Sequence, residues 1–122
     1  MKFRGDQEAL FQLARRAGLS QQDVATHLGM KRQHYHRYTS GDRELPEHRF
    51  KEVYAFLQSH LFQQAKDAKI SQQDISDVVG IPRTLFSKYC TGKEQLPYYL
   101  FADIQNYIFE TTGEDFEDKK IV

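Results

Sequence analysis

Few side chains in this sequence could do covalent chemistry, and their spacing argues against it. His34 and His36 stand two residues apart, which on a helix turns them away from each other, and no Cys or carboxylate completes a metal-ligand set around them. Cys90, the single cysteine, cannot form an internal disulfide; with no cation beyond Lys88 beside it, it reads as packing instead of a reactive thiol. The chain has no Gly-rich phosphate loop, no HExxH and no nucleophile with a paired base. The sequence therefore predicts no enzyme, no cofactor and no bound metal. A concentration of cations and amides between Lys31 and Arg43 remains. Their chemistry is reversible binding, and its specificity depends on the elements that hold them.

Those elements occur twice. Residues 10–57 lie over 61–108 without a gap, at an offset of 51, with 16 of 48 pairs identical. Leu10-Phe11-Gln12 returns as Leu61-Phe62-Gln63, and Ser20-Gln21-Gln22-Asp23 as Ser71-Gln72-Gln73-Asp74. Gly29, Arg32, Tyr38, Gly41, Leu45, Pro46 and Phe50 return as Gly80, Arg83, Tyr89, Gly92, Leu96, Pro97 and Phe101. Two copies are too few for a solenoid, so the pattern is that of a duplicated small domain, 1–59 and 60–122.

Each copy reads as short helices, giving an all-α fold class. Leu10, Leu13, Ala14 and Ala17 recur at helical spacing before Gly18, which predicts a first helix over about Asp6–Ala17. Ser20 with Asp23 forms a capping box for a second helix burying Val24, Ala25 and Leu28 and ending at Gly29. The third begins at Lys31 or Arg32, buries Tyr35 and Tyr38, and stops at Gly41; Pro82 opens its counterpart. Pro46 and Pro97 start the fourth helix of each copy. From Glu47 to Ile70 there is neither Gly nor Pro, and Phe50, Val53, Leu57, Leu61, Ala65 and Ala68 continue one apolar stripe. One continuous helix across the junction is expected, on the order of 34 Å long and holding the copies rigidly, with a kink near Ser59-His60 as the alternative. Thr111 to Phe116 reads as a turn and a short final helix that tucks Phe116 down.

Length and composition fit a soluble globular protein: 122 residues, 39% hydrophobic and 28% charged. No run of 18 apolar residues exists, and Met1-Lys2-Phe3-Arg4-Gly5-Asp6 is charged too early for a signal sequence, so a cytoplasmic protein without a membrane partner is expected. The 17 Lys/Arg and 17 Asp/Glu cancel, but unevenly along the chain. Residues 1–60 hold 10 basic and 7 acidic side chains, and residues 61–122 hold 7 and 10, so the halves carry +3 and −3. All five histidines also lie in the first half. Arg15, Arg16, Lys31, Arg43 and Arg49 are thereby available for anions.

A capped helix, a tight turn at Gly29 and a second short helix make a helix-turn-helix. Leu19-Ser20-Gln21-Gln22-Asp23-Val24-Ala25, Leu28-Gly29-Met30, Arg32, Tyr35, Arg37-Tyr38, Gly41 and Leu45-Pro46 resemble the phage-repressor (Xre/Cro-type) helix-turn-helix family. Ile70 to Gly92 is similar throughout, so the resemblance covers residues 6–110 and implies two tandem lambda-repressor-like units. It further implies that the third helix of each copy lies in the major groove of double-stranded DNA with its first turns toward base edges. With Tyr35 and Tyr38 in the core, the base-reading residues would be Arg32, Gln33, His36 and Arg37, and in the second copy Arg83, Thr84 and Lys88. Arg side chains suit guanine O6/N7 and Gln33 suits adenine N6/N7. Gln21 and Gln72 match the family's phosphate-contacting position, with Lys31 and Arg43 as further phosphate ligands.

The function expected from these readings is a sequence-specific, repressor-like transcriptional regulator, of a kind often found on mobile elements, acting as an intramolecular pseudo-dimer with its first copy as main reader. The reading helices differ at Gln33/Thr84, His34/Leu85 and His36/Ser87, so the site should not be a perfect palindrome. The alternative is a protein-binding helix-turn-helix module (an antitoxin, antirepressor or other inhibitor) or a homodimer, using the second copy. Tyr98, Tyr99, Phe101, Tyr107 and Phe109 are more aromatic than a small core needs.

Overall fold

The computed structural model describes residues 3–113, with side chains from Gln7 onward. Seven helices and no strand occur among the described residues: α1 (Phe3–Arg16), α2 (Gln21–Leu28), α3 (Arg32–Thr39), α4 (Glu47–Asp67), α5 (Gln72–Val79), α6 (Arg83–Cys90) and α7 (Tyr98–Thr112). None is long and apolar enough to cross a membrane. The chain divides into two compact units, with the boundary between Leu57 and Gln58 inside α4. α4 runs from Glu47 to Asp67, through Ser59 and His60, as one helical segment. Thr111 and Thr112, expected in a turn, belong instead to the end of α7, which closes at Gly113 with φ 73°; the final helix expected beyond it lies outside the described residues. Phe116 lies outside the described residues.

In the first unit, Leu10, Phe11, Leu13, Ala14 and Ala17 of α1 and the following turn, Val24, Ala25 and Leu28 of α2, Tyr35 and Tyr38 of α3, and Val53, Tyr54 and Leu57 of α4 are buried. The Phe11 ring meets Tyr35 edge-on at 5.7 Å between centroids, an arrangement that the ring quadrupoles favour. Burial pushes the Tyr35 phenol well above its ordinary pKa, which keeps it neutral. The second unit repeats this at the sequence offset: Phe62 meets Phe86 edge-on at 5.5 Å, and Ile75, Phe86, Tyr89, Leu96, Leu100, Phe101, Ile104, Ile108 and Phe109 are buried.

The helix ends follow local rules, with shifts of a residue or a turn. Both bonds of the Ser20–Asp23 capping box are present at 3.0 Å, and Ser71 Oγ accepts from the Asp74 amide at 3.0 Å. The expected start of α1 at Asp6 is too late, because Gly5 falls in the first turn, where the amides have no intrahelical partner to lose. Pro82 and Pro97 are the residues before their helices, not the first residues within them. Each prolyl carbonyl accepts the first helical bond: Phe50 N–H to Pro46 O at 2.9 Å, Phe86 to Pro82 at 3.0 Å and Phe101 to Pro97 at 2.9 Å. α3 ends at Thr39, one residue before its cap Ser40 and two before Gly41.

One buried contact was not legible from hydrophobic periodicity. Gln7, 5% exposed, donates through Nε2 to the carbonyls of Tyr38 at 2.8 Å and Arg43 at 3.0 Å, while its Oε1 accepts from Leu45 N–H at 2.6 Å. Gln58, also 5% exposed, does the same for Tyr89 at 2.8 Å, Glu94 at 3.0 Å and Leu96 at 2.8 Å. Every partner pair is 51 residues apart. Replacing Gln58 by Leu strands two carbonyls and one amide, each costing about 1–3 kcal/mol. Gln58→Leu should therefore lower stability by at least about 3 kcal/mol in urea denaturation, and an unchanged midpoint would remove the glutamine from this role. Lys69 stands where the first unit has Gly18, and both are left-handed, at φ 61° and 80°. A side chain there is strained, so Lys69→Gly should raise stability by about 0.5–1 kcal/mol in the same assay.

Candidate nucleic-acid interface

α2 and α3 pack against each other across Gly29, which closes α2 in the left-handed conformation at φ 71°. Its amide reaches Thr26 O, and the Met30 amide reaches Ala25 O at 3.0 Å, so the chain turns within three residues. With Tyr35 and Tyr38 facing inward, Arg32, Gln33, His34, His36 and Arg37 are left exposed on α3. The C-terminus of α3 is fixed from the core side, because the Tyr38 carbonyl receives Gln7. The Arg37 carbonyl receives both the Arg43 amide at 3.1 Å and Ser40 Oγ at 3.2 Å.

Gln21, at the first position of α2, is half-buried, and its Oε1 lies 3.2 Å from His36 Nδ1. That contact joins the expected phosphate contact to the expected base reader. With the carbonyl oxygen engaged, the Gln21 Nε2 amide is the donor left for an anion. His34 turns the other way, its ring stacked on Tyr38 at 5.6 Å and its Nε2 3.3 Å from the tyrosine hydroxyl. The two histidines thus serve different neighbours. Arg32 makes no hydrogen bond or ion pair among the described residues. Lys31, Gln33, His34, Arg37 and Arg43 line an open depression of about 380 Å³. Three permanent cations therefore line one concavity.

The second unit has the same framework with different walls. Gln72, Arg83, Thr84 and Lys88 are all exposed. Arg83, equivalent to Arg32, donates Nη2 to Gln72 Oε1 and Nη1 to Gln73 Oε1, both at 3.3 Å. The five positions that line the depression in the first unit are here Pro82, Thr84, Leu85, Lys88 and Glu94, so three cations become one and a carboxylate is added. Cys90, at the end of α6, is half-buried; burial pushes its thiol up, and the nearby Arg83 only partly opposes this. That environment suits the packing role read from the sequence.

Arg49 requires a correction. Expected to be available for anions, it instead donates Nη1 to the Leu28 carbonyl at 3.1 Å and pairs with Glu52 at 3.0 Å. A guanidinium at a helix C-terminus satisfies an orphan carbonyl and the helix dipole together, so Arg49 clamps α2 to α4. Arg15 is engaged with Gln12 Oε1 at 2.7 Å. Gln7 and Gln58 were missed as positioning residues, although extending the repeat by three residues at the same offset pairs them as identical.

Residues 8–58 match a family model described as a helix-turn-helix domain. No curated protein matches the chain, and no solved structure does. The matched segment begins just after Gln7, ends at Gln58 and contains α2, the Gly29 turn and α3, so these residues are similar to a helix-turn-helix domain, a DNA-binding element.

Proposed function

We propose that the protein is a sequence-specific DNA-binding regulator of transcription, of the Xre/Cro type and repressor-like, whose first unit is the main reader. The observation that carries this reading is the depression lined by Lys31, Gln33, His34, Arg37 and Arg43 beside an exposed Arg32 and a Gln21–His36 contact. The cations supply affinity for phosphates, which fix the register of a protein on the duplex, and the planar side chains of α3 supply discrimination among base edges. The match of residues 8–58 supports DNA as the ligand of this segment.

The second unit is assigned to a weaker half-site, making the chain an intramolecular pseudo-dimer of two tandem units, 1–59 and 60–122. Thr84, Lys88 and Arg83 retain hydrogen-bonding capacity, but Glu94 in place of Arg43 and Pro82 in place of Lys31 remove phosphate ligands. Two unlike reading helices in one chain match an operator with unequal halves, and no palindromic site is required. The protein binds and releases DNA without chemical change, as a cytoplasmic factor.

Selection from a random DNA pool tests the assignment. The purified chain should enrich a defined sequence, with affinity falling steeply as salt rises. Arg32→Ala with Arg37→Ala should abolish selection, because each bidentate arginine is worth about 1–3 kcal/mol of discrimination; retained selection would refute α3 as the reading helix. Arg83→Ala with Lys88→Ala should leave the stronger half of the motif and blur only the weaker half.

Charge exchange provides a separate check on the phosphate ligands. Arg43→Glu, which installs the second unit's residue, should weaken binding to all sequences alike and reduce the slope of log affinity against log salt by about 1. A change in the selected sequence itself would instead make Arg43 a base reader.

A further inference from the structure

In the first unit a cleft of about 50 Å³ lies beside the N-terminus of α2, with Arg15, Ser20, Gln21, Tyr35 and Thr39 as its polar lining and apolar side chains as the rest. Tyr35 is 1% exposed, yet its hydroxyl makes no hydrogen bond among the described residues. Its oxygen is also not one of the unpartnered atoms sealed from solvent, so the hydroxyl opens onto the cleft. Burial pushes the phenol well above its ordinary pKa, and Arg15 is close enough to oppose the shift; the group stays a protonated donor. The second unit shows that the scaffold does not need this hydroxyl. Phe86 stands at the same position, 0% exposed, and makes the same edge-on ring contact at 5.5 Å in place of 5.7 Å. Thr39 likewise corresponds to Cys90. An unpaired hydroxyl in a core costs stability, and the packing of Tyr35 offers nothing that Phe86 lacks.

The polar groups gathered at this end of α2 are donors. Gln21 Oε1 is taken up by His36 at 3.2 Å, which leaves its Nε2 amide. The first backbone amides of α2 have no intrahelical partner, and Arg15 brings a guanidinium steadied by Gln12 at 2.7 Å. The Asp23 carboxylate accepts from the Ser20 amide at 3.0 Å and does not line the cleft. Donors that converge without an acceptor call for an oxyanion. The cleft is several-fold smaller than the roughly 300–1,000 Å³ of ordinary ligand pockets, so it admits phosphate oxygens and not a nucleobase. We propose that the Tyr35 hydroxyl is the innermost ligand of a phosphate-oxygen site completed by Gln21, Arg15 and the N-terminus of α2, filled by a backbone phosphate of bound DNA. This rests on the DNA-binding reading and adds to it a core residue as a phosphate ligand. Phe86 and Cys90 carry no hydroxyl, so the second unit lacks that ligand and holds its phosphate less firmly. Free phosphate is the other source of the same chemistry.

The test is Tyr35→Phe in the full-length chain, which removes one oxygen and installs the residue that the second unit already packs. Its stability to urea in chloride buffer should equal or exceed that of the wild type. Its affinity for the selected duplex should fall about tenfold, and by the same factor on unrelated duplexes. The selected sequence and the slope of log affinity against log salt should not change, because a neutral hydroxyl displaces no counterion. A second arm omits DNA: inorganic phosphate, replacing chloride at equal ionic strength, should raise the thermal midpoint of the wild type more than that of the variant. Weakened DNA binding with an equal phosphate response in both chains still supports the site, with DNA as its source of phosphate. A variant that loses the phosphate response but keeps full DNA affinity overturns the assignment to DNA. If the wild type binds no DNA, the DNA-binding reading fails and the phosphate arm alone decides: a larger wild-type response supports the oxyanion site, and an equal one overturns it. The proposal is also overturned if DNA affinity and phosphate response both match the wild type, or if the variant selects a different sequence, because Tyr35 then acts by orienting α3. A ligand-free stability that falls as far as the affinity overturns it too, since the hydroxyl is then structural.

Discussion

A carboxamide sealed from water must find partners for two N–H groups and an oxygen, and it can therefore hold three separate points of backbone together. Gln7 ties the last turn of α3, the following turn and the amide of Leu45 to α1. Gln58 does the same for α6, Glu94 and Leu96. The exposed face of a reading helix is only as well placed as its buried face, and Tyr35 and Tyr38 alone would permit small rotations about the helix axis. A hydrogen bond to the Tyr38 carbonyl is directional and fixes the end of that helix against its own scaffold. The orientation of Arg32, Gln33 and Arg37 on α3 descends from that bond. All three contacts recur at one offset, so the third helix of each unit is held by the same device.

What could be read from the sequence was whatever local chemistry determines. Ser20 with Asp23 and the left-handed Gly29 are settled by neighbouring backbone, so α2 and its turn were placed correctly, and helical periodicity separated Tyr35 and Tyr38 from the exposed residues between them. Boundaries near proline shifted by one residue because a prolyl carbonyl can open a helix that the ring itself does not enter. Gln7 and Gln58 escaped because a polar residue on a helix reads as surface until its partners are known, and those partners lie more than thirty residues away. Arg49 escaped for the related reason that a cation beside a helix carbonyl is indistinguishable in sequence from a solvated one. Both misses concern long-range polar contacts, which hydrophobic patterns do not encode. The candidate interface was legible as a set of residue types, but the contact between His36 and Gln21 and the depression shared by Lys31, Arg37 and Arg43 required the fold.

The balanced net charge is the sum of a basic first half and an acidic second half. The buried residues differ little between them: Tyr35 and Phe86 are both large rings, each meeting a phenylalanine edge-on at nearly the same distance. The exposed residues differ more. Around the third helix, Lys31 and Arg43 correspond to Pro82 and Glu94, but Asp42 corresponds to Lys93, so charge is exchanged in both senses. Where α2 meets α4, Glu47, His48 and Arg49 correspond to Tyr98, Tyr99 and Leu100.

The exchange of Arg49 for Leu100 shows how such a change is accommodated without refolding. In the first unit the Leu28 carbonyl at the end of α2 is held by a guanidinium, whose charge must remain partly hydrated and is accompanied by Glu52. In the second unit Leu100 stands at the equivalent position and is 3% exposed. The same place on the scaffold therefore accepts either a guanidinium that satisfies a helix carbonyl or a buried apolar side chain that brings no charge to hydrate.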